Sequence, residues 1–149
     1  MAIDDPYDLA RFVTAQDADG MYGRALVELR TGRKTGHWMW FVFPQIAGLG
    51  QSETSRRYAI ASQAEAEAYL QHPRLGPRLI ECAHILEASR TLSAIQIFGS
   101  VDAKKLQSCM TLFMRAVPEE PLFARVVGRY FAGIPDPNTD RLLRSQRGA

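Results

Sequence analysis

Apolar side chains recur at helical rather than strand spacing along almost the whole chain. Leu9, Phe12 and Val13 share one face of a first helix, capped by Asp5 with Pro6 at its first position, that runs to about Gln16. Asp17 is placed to cap a second helix whose apolar face is Met21, Ala25, Leu26 and Leu29, with Thr31-Gly32 as its stop. Ser52 or Thr54 opens a helix through Tyr58 and Ile60, and Ser62-Gln63-Ala64-Glu65 is a capping box for a helix ending at Gln71. After the His72-Pro73 break, Leu75, Leu79, Cys82 and Leu86 form a stripe to about Ser89. Ser93-Ala94-Ile95-Gln96 starts a short turn closed by Gly99. Asp102 then caps a helix carrying Leu106, Met110, Phe113 and Val117 on one face, which Pro118 ends. Pro121 opens a helix with Leu122, Val126 and Tyr130 stacked, and Asp136-Pro137 begins a last one through Leu142 and Leu143, with a frayed tail after Arg144. No run alternates between apolar and polar positions. The pattern predicts an all-α fold, a single irregular globular domain over 1–149 with about seven or eight helices, in which Leu79, Leu86, Leu106, Met110 and Phe113 share one core.

One segment escapes this periodicity. His37-Trp38-Met39-Trp40-Phe41-Val42-Phe43-Pro44-Gln45 holds both tryptophans and four aromatic residues in six positions. It reads as a short buried helix or an extended stretch, ended by Pro44 in either case. Each aromatic side chain buries roughly 150–250 Å², so the segment is core, cleft wall or interface.

Composition narrows the function classes. A chain of 149 residues, 46% hydrophobic, fits one globular core. The net charge of +2 is spread along the chain, so neither nucleic acid nor an anionic membrane is indicated as a partner. Cys82 and Cys109 stand 27 positions apart without paired histidines, which argues against a zinc cluster or a disulfide framework. No window approaches the roughly 20 apolar residues of a membrane span, and Met1-Ala2-Ile3-Asp4-Asp5-Pro6 lacks a leader-like pattern. The expectation is a cytoplasmic protein with no metal and no cofactor.

Candidate chemistry gathers around the aromatic segment. His37 stands at its mouth, Trp38 and Trp40 offer stacking surfaces, and Gln45 precedes the turn Gly48-Leu49-Gly50-Gln51-Ser52. Glycines allow close backbone approach and a helix start presents free N–H groups, so the turn has the ingredients of an anion cradle, with Arg56 and Arg57 just beyond it. Neither a P-loop nor a dinucleotide fingerprint is present, and a tight turn explains the same residues. Asp102 reads as a helix cap. Lys105 opposes the helix dipole, which an anionic ligand or plain solvent exposure would account for. Ser108, Cys109 and Thr111 are nucleophile types, but no histidine or carboxylate is fixed beside them in sequence.

The aromatic nonapeptide, Gly48-Leu49-Gly50 with Ser52, Tyr58-Ala59-Ile60, Tyr69-Leu70-Gln71-His72-Pro73, Ile97-Phe98-Gly99 and Lys105-Leu106 leading to Met110-Thr111-Leu112-Phe113 closely resemble a bacterial family classed as a domain of unknown function. Some members carry the label calpastatin, although nothing here resembles a disordered calpain-inhibitory repeat. The resemblance spans about Leu9 to Leu143 and implies a mostly helical single domain without an established activity. Cys109 replaces the serine usual in that pattern, which speaks against an essential nucleophile there. Asp102, Lys105 and Met110, with the Trp-rich first half, are also faintly similar to the ADP-ribose-handling NADAR superfamily of YbiA-like N-glycosidases.

Three functional readings follow. In the first, a small phosphate-bearing ligand, a nucleotide or ADP-ribose-like molecule, occupies a Trp-lined pocket. There His37, Trp38, Trp40, Gln45, Gly48, Gly50, Ser52, Arg56, Arg57, Asp102 and Lys105 are the candidate contacts and no catalytic residue is assigned. In the second, the aromatic string is an exposed patch of a helical protein-interaction module. In the third, it is interior packing. The pocket reading expects His37, Trp40, Gln45 and the Gly48 to Ser52 turn around one concavity with Arg56, Arg57 or Lys105 directed toward it. It also expects Gly50 to need positive φ.

Overall fold

Local capping and stripe signals translate into helices wherever the partner residues are close in sequence. The computed structural model describes residues 4–147, and among them the order is α1 (Ala10–Asp17), a 3-10 turn (Ala18–Gly20), α2 (Met21–Thr31), α3 (Met39–Val42), α4 (Glu53–Arg57), α5 (Gln63–Gln71), α6 (Leu75–Ala88), α7 (Ala94–Ala116), α8 (Leu122–Phe131) and α9 (Pro137–Arg147). The fold is all-α. Its one pairing of extended backbone among the described residues is an isolated parallel bridge between Ile46 and Ile60.

The long helix α7 is the axis of the domain. It packs against α5, α8 and α9, α6 packs against α5 and α8, and α2, which touches α6, joins α1, which in turn touches α3. Leu79, Leu86, Leu106, Met110 and Phe113 all sit in this core, each at most 1% exposed. Gly99, with φ 80 and ψ 166, breaks α7 into limbs 94–98 and 100–116, the interruption that its position after Ile97-Phe98 predicts.

Several caps differ from expectation. Asp8 takes a left-handed φ of 51, so no helix can run through from Pro6, yet Asp5 still reaches forward to accept from the N–H groups of Leu9 and Ala10. The corner before α2 is made by Asp19 and Gly20 in left-handed conformation. Asp17 therefore does not cap α2 and instead pairs with Arg74 and Arg78. Ser62 caps α5, but Glu65 accepts from the N–H of Ala61 and from Arg11 instead of closing the box on Ser62. Helix α4 stops at Arg57, because Ile60 is drawn into the bridge: its N–H donates to the Gln45 carbonyl and its carbonyl accepts from Ala47, both at 2.8 Å. Asp102 makes no backbone cap; it lies within the second limb of α7, where it forms ion pairs. The last helix runs through Arg147, and of the tail only residues 148–149 lie outside the described residues.

Candidate functional site

The rotation of α3 decides which of the dense aromatic residues face inward. Trp38, Met39, Val42 and Phe43 fall on the buried side, each at most 2% exposed, whereas Trp40 and Phe41 are half-buried. Beyond Pro44 the chain runs extended through the bridge at Ile46 and turns back at Gly48, whose φ of +105 calls for glycine and whose missing Cβ leaves room for Leu142 of α9. Gly50 follows, without positive φ. Its glycine is demanded by contact, since a Cβ would stand 2.5 Å from the Ser55 side chain and 3.5 Å from the Trp40 ring.

The result is a cleft of two adjoining cavities with Trp40, Gln45, Leu49 and Gly50 common to both. The first, about 130 Å³, is completed by residues 46–48 and by Ser55, Arg56, Tyr58 and Ala59. The second, about 210 Å³, is completed by Lys104, Lys105, Ser108, Asp136 and Asn138. Gln45 is 8% exposed, and its side-chain Nε2 has no hydrogen-bond partner among the described residues. An unpaired buried polar group of this kind costs about 1–3 kcal/mol.

A chain of charges ties the cleft to the core. Lys34 lies 5.1 Å from the centre of the Trp38 ring, donates to the Gly36 carbonyl, and pairs with Asp102 at 2.8 Å. Asp102 pairs with Lys105 at 3.0 Å, and the Lys105 ammonium sits 4.0 Å from the centre of the Trp40 ring. Burial raises the Asp102 pKa, but the two ammonium groups outweigh it and hold the carboxyl below the usual carboxylate range. Glu28 behaves alike. Burial opposes its charge, yet Oε1 accepts from the N–H groups of Gly36 and Thr35 and from Trp38 Nε1, and the net shift is downward. Both carboxylates therefore add stability that is fully present above their unfolded values, roughly 4, and is lost as pH falls through their lower folded values. Unfolding midpoints in urea should drop as the pH falls below about 4, and less steeply in a Glu28→Gln/Asp102→Asn variant. Equal pH dependence in the two proteins would refute this assignment.

The sequence-derived candidates divide accordingly. Trp40, Gln45, Gly48, Gly50, Arg56 and Lys105 border the cleft. Trp38 does not: it is sealed between Phe43 and Phe98 and has no face left for a ligand. His37 is exposed on the loop before it and borders neither cavity. Ser52 caps α4, and Arg57 leans over Tyr58 with its carbonyl held by Arg11. Asp102 acts at one remove, by holding Lys105. At the start of α4 the Ser55 N–H is taken by Ser52 Oγ, and the Arg56 N–H makes the first intrahelical bond to the Ser52 carbonyl. The aromatic string is not an exposed patch, since its larger part is core. Asp102 and Lys105 meet, but Met110 is fully buried in the core, so the three residues similar to the ADP-ribose-handling superfamily do not form one site.

Asp136, Ser108 and Lys104 belong to the cleft although sequence reading assigned them no ligand role. Ser108 does acquire a carboxylate neighbour, Asp136 Oδ2 at 3.1 Å. The histidines serve elsewhere: His72 Nδ1 accepts the N–H groups of Arg74 and Leu75 at the start of α6, and His84 lies beside Glu87. Cys109 is fully buried and its thiol is pushed up by burial; that of Cys82 is pushed up to about 12 for the same reason. Among the described residues no group of three or more His, Cys, Asp or Glu side chains is arranged to hold a metal ion, and no helix is long and apolar enough to cross a membrane.

Residues 6–143 match the family model described as "Protein of unknown function (DUF1810)", and the chain belongs to that family. It is similar to the conserved hypothetical protein Rv1873 from Mycobacterium tuberculosis, whose crystal structure matches with a TM-score of 0.91 at 49% identity, covering 94% of this chain and 99% of that one. No curated protein matches.

Proposed function

We propose that the cleft around Trp40 binds a small phosphate-bearing ligand of nucleotide type, an AMP- or ADP-ribose-like molecule. The observation that carries this reading is Gln45, a carboxamide buried beside both cavities whose amide nitrogen is unpaired within the protein. A ligand acceptor would remove the cost of leaving it so. Trp40 adds an aromatic wall shared by both cavities, and the two volumes together reach the low end of the roughly 300–1,000 Å³ range of small-molecule pockets. Asp102 is shared between Lys34 and Lys105, so the cluster keeps one positive charge, and two further cations border the cleft, Arg56 at the first cavity and Lys104 at the second. Neither forms an ion pair among the described residues.

Calorimetric titration with AMP and ADP-ribose, with inorganic phosphate as a control, tests the reading. The nucleotides should bind, and at 100 times the dissociation constant should stabilise the fold by about 2.7 kcal/mol. Gln45→Leu should weaken AMP at least about tenfold while leaving the unliganded protein no less stable, because it replaces an unpaired polar group with an apolar one of similar size. The reading fails if neither nucleotide binds, or if Gln45→Leu binds AMP as well as the unaltered protein does.

A further inference from the structure

The second cavity contains a carboxylate whose hydrogen bonds are distributed unevenly. Asp136 is 5% exposed, and its Oδ2 accepts from Thr139 N at 3.0 Å, from Thr139 Oγ1 at 2.6 Å and from Ser108 Oγ at 3.1 Å. Its own N–H donates to Thr111 Oγ1 at 2.8 Å. Oδ1 accepts no hydrogen bond among the described residues, and Asp136 borders the cavity shared with Gln45, Lys104 and Lys105. Capping α9 requires one oxygen acceptor, which serine, threonine or asparagine supplies as well as aspartate does. The helix start therefore explains Oδ2 and leaves Oδ1 over.

We infer that Asp136 Oδ1 recognises a sugar hydroxyl, so that the ligand class of the cleft is a ribonucleotide carrying a free vicinal diol. This rests on the nucleotide reading above and specifies which part of the molecule lies in the second cavity. An ionised carboxylate only accepts hydrogen bonds and repels phosphate oxygens, so its partner is a donor group of the ligand. Gln45, bordering the same cavity, brings an unpaired donor. Two adjacent hydroxyls answer both, one donating to the carboxylate and one accepting from the carboxamide. Lys104 is left for the phosphate at the rim.

The experiment compares AMP with 2′,3′-dideoxy-AMP in calorimetric titrations of the full chain and of Asp136→Asn. Asparagine can keep an oxygen on Thr139 and Ser108 while turning an amide toward the cavity, so the cap is preserved. The unaltered protein should bind AMP at least about tenfold more tightly than the dideoxy compound, as expected for a hydrogen bond to a charged group, and Asp136→Asn should lower that ratio several-fold, the part that remains coming from the hydroxyl that accepts from Gln45. Equal affinities in the unaltered protein overturn the inference while the nucleotide reading stands. So does a ratio unchanged in a folded Asp136→Asn protein. If Asp136→Asn does not fold, the ratio in the unaltered protein decides alone. Absence of binding by either compound removes both the inference and the reading beneath it.

Discussion

Replacing Trp38 with alanine is expected to lower the unfolding free energy by about 3–5 kcal/mol, whereas Trp40→Ala costs about 1 kcal/mol. The two indoles are separated by a single residue, but their surroundings differ. Trp38 is fully buried, with Phe43 at 6.1 Å and Phe98 at 6.4 Å between ring centres, and its Nε1 donates to Glu28 at 2.9 Å. Alanine there opens a cavity and removes one of the three donors that Oε1 of Glu28 gathers from the loop before α3. Trp38→Phe separates the two losses: it keeps much of the volume and leaves Glu28 one donor short, for about 1–3 kcal/mol. Trp40 is half-buried at the cleft, so its removal exposes little core. Urea unfolding of the three variants checks the ordering, and equal costs for Trp38→Ala and Trp40→Ala would mean that α3 has been oriented wrongly.

Sequence reading succeeds where the determinants of structure are local. Ser52, Ser62 and Ser93 accept N–H groups three residues ahead, and Leu75, Leu79, Cys82 and Leu86 fall on one buried face because a 3.6-residue period puts them there. Left-handed backbone at Asp8 and Asp19 was not legible, because those are not glycines and only the surrounding fold holds them so. The same limit governs the site. That Trp40, Gln45 and Gly50 border the same cavities follows from one short stretch of chain. Ser108 in α7 and Asp136 just before α9 are 28 positions apart, and Lys34 reaches Asp102 where its own N–H donates to the Ile97 carbonyl of α7 and Glu28 gathers the N–H groups of Thr35 and Gly36. Aspartate before proline signals a helix start; nothing in that signal reveals a second carboxylate oxygen left unpaired beside a cavity.

Glycine-to-alanine changes within three helices should have opposite signs. In a helix interior alanine is ordinarily favoured over glycine by about 1 kcal/mol, and at Gly23 of α2 and Gly128 of α8 nothing lies within 4 Å of the added Cβ. Gly23→Ala and Gly128→Ala are therefore expected to stabilise the protein by about 0.5–1 kcal/mol each. At Gly76, the second residue of α6, the same Cβ would lie 2.0 Å from the Leu70 carbonyl oxygen and 2.9 Å from its carbon. Those are backbone atoms of α5, so no side chain can swing aside. The corner cannot relax freely either, since the N–H of Gly76 donates to the His72 carbonyl while His72 Nδ1 holds the N–H groups of Arg74 and Leu75. Gly76→Ala should then cost about 3 kcal/mol or more, the upper end of overpacking penalties. Chemical unfolding of the three variants reads the sign directly. A stabilised Gly76→Ala protein would show that α5 and α6 do not pack as closely as their contact at Leu70 requires.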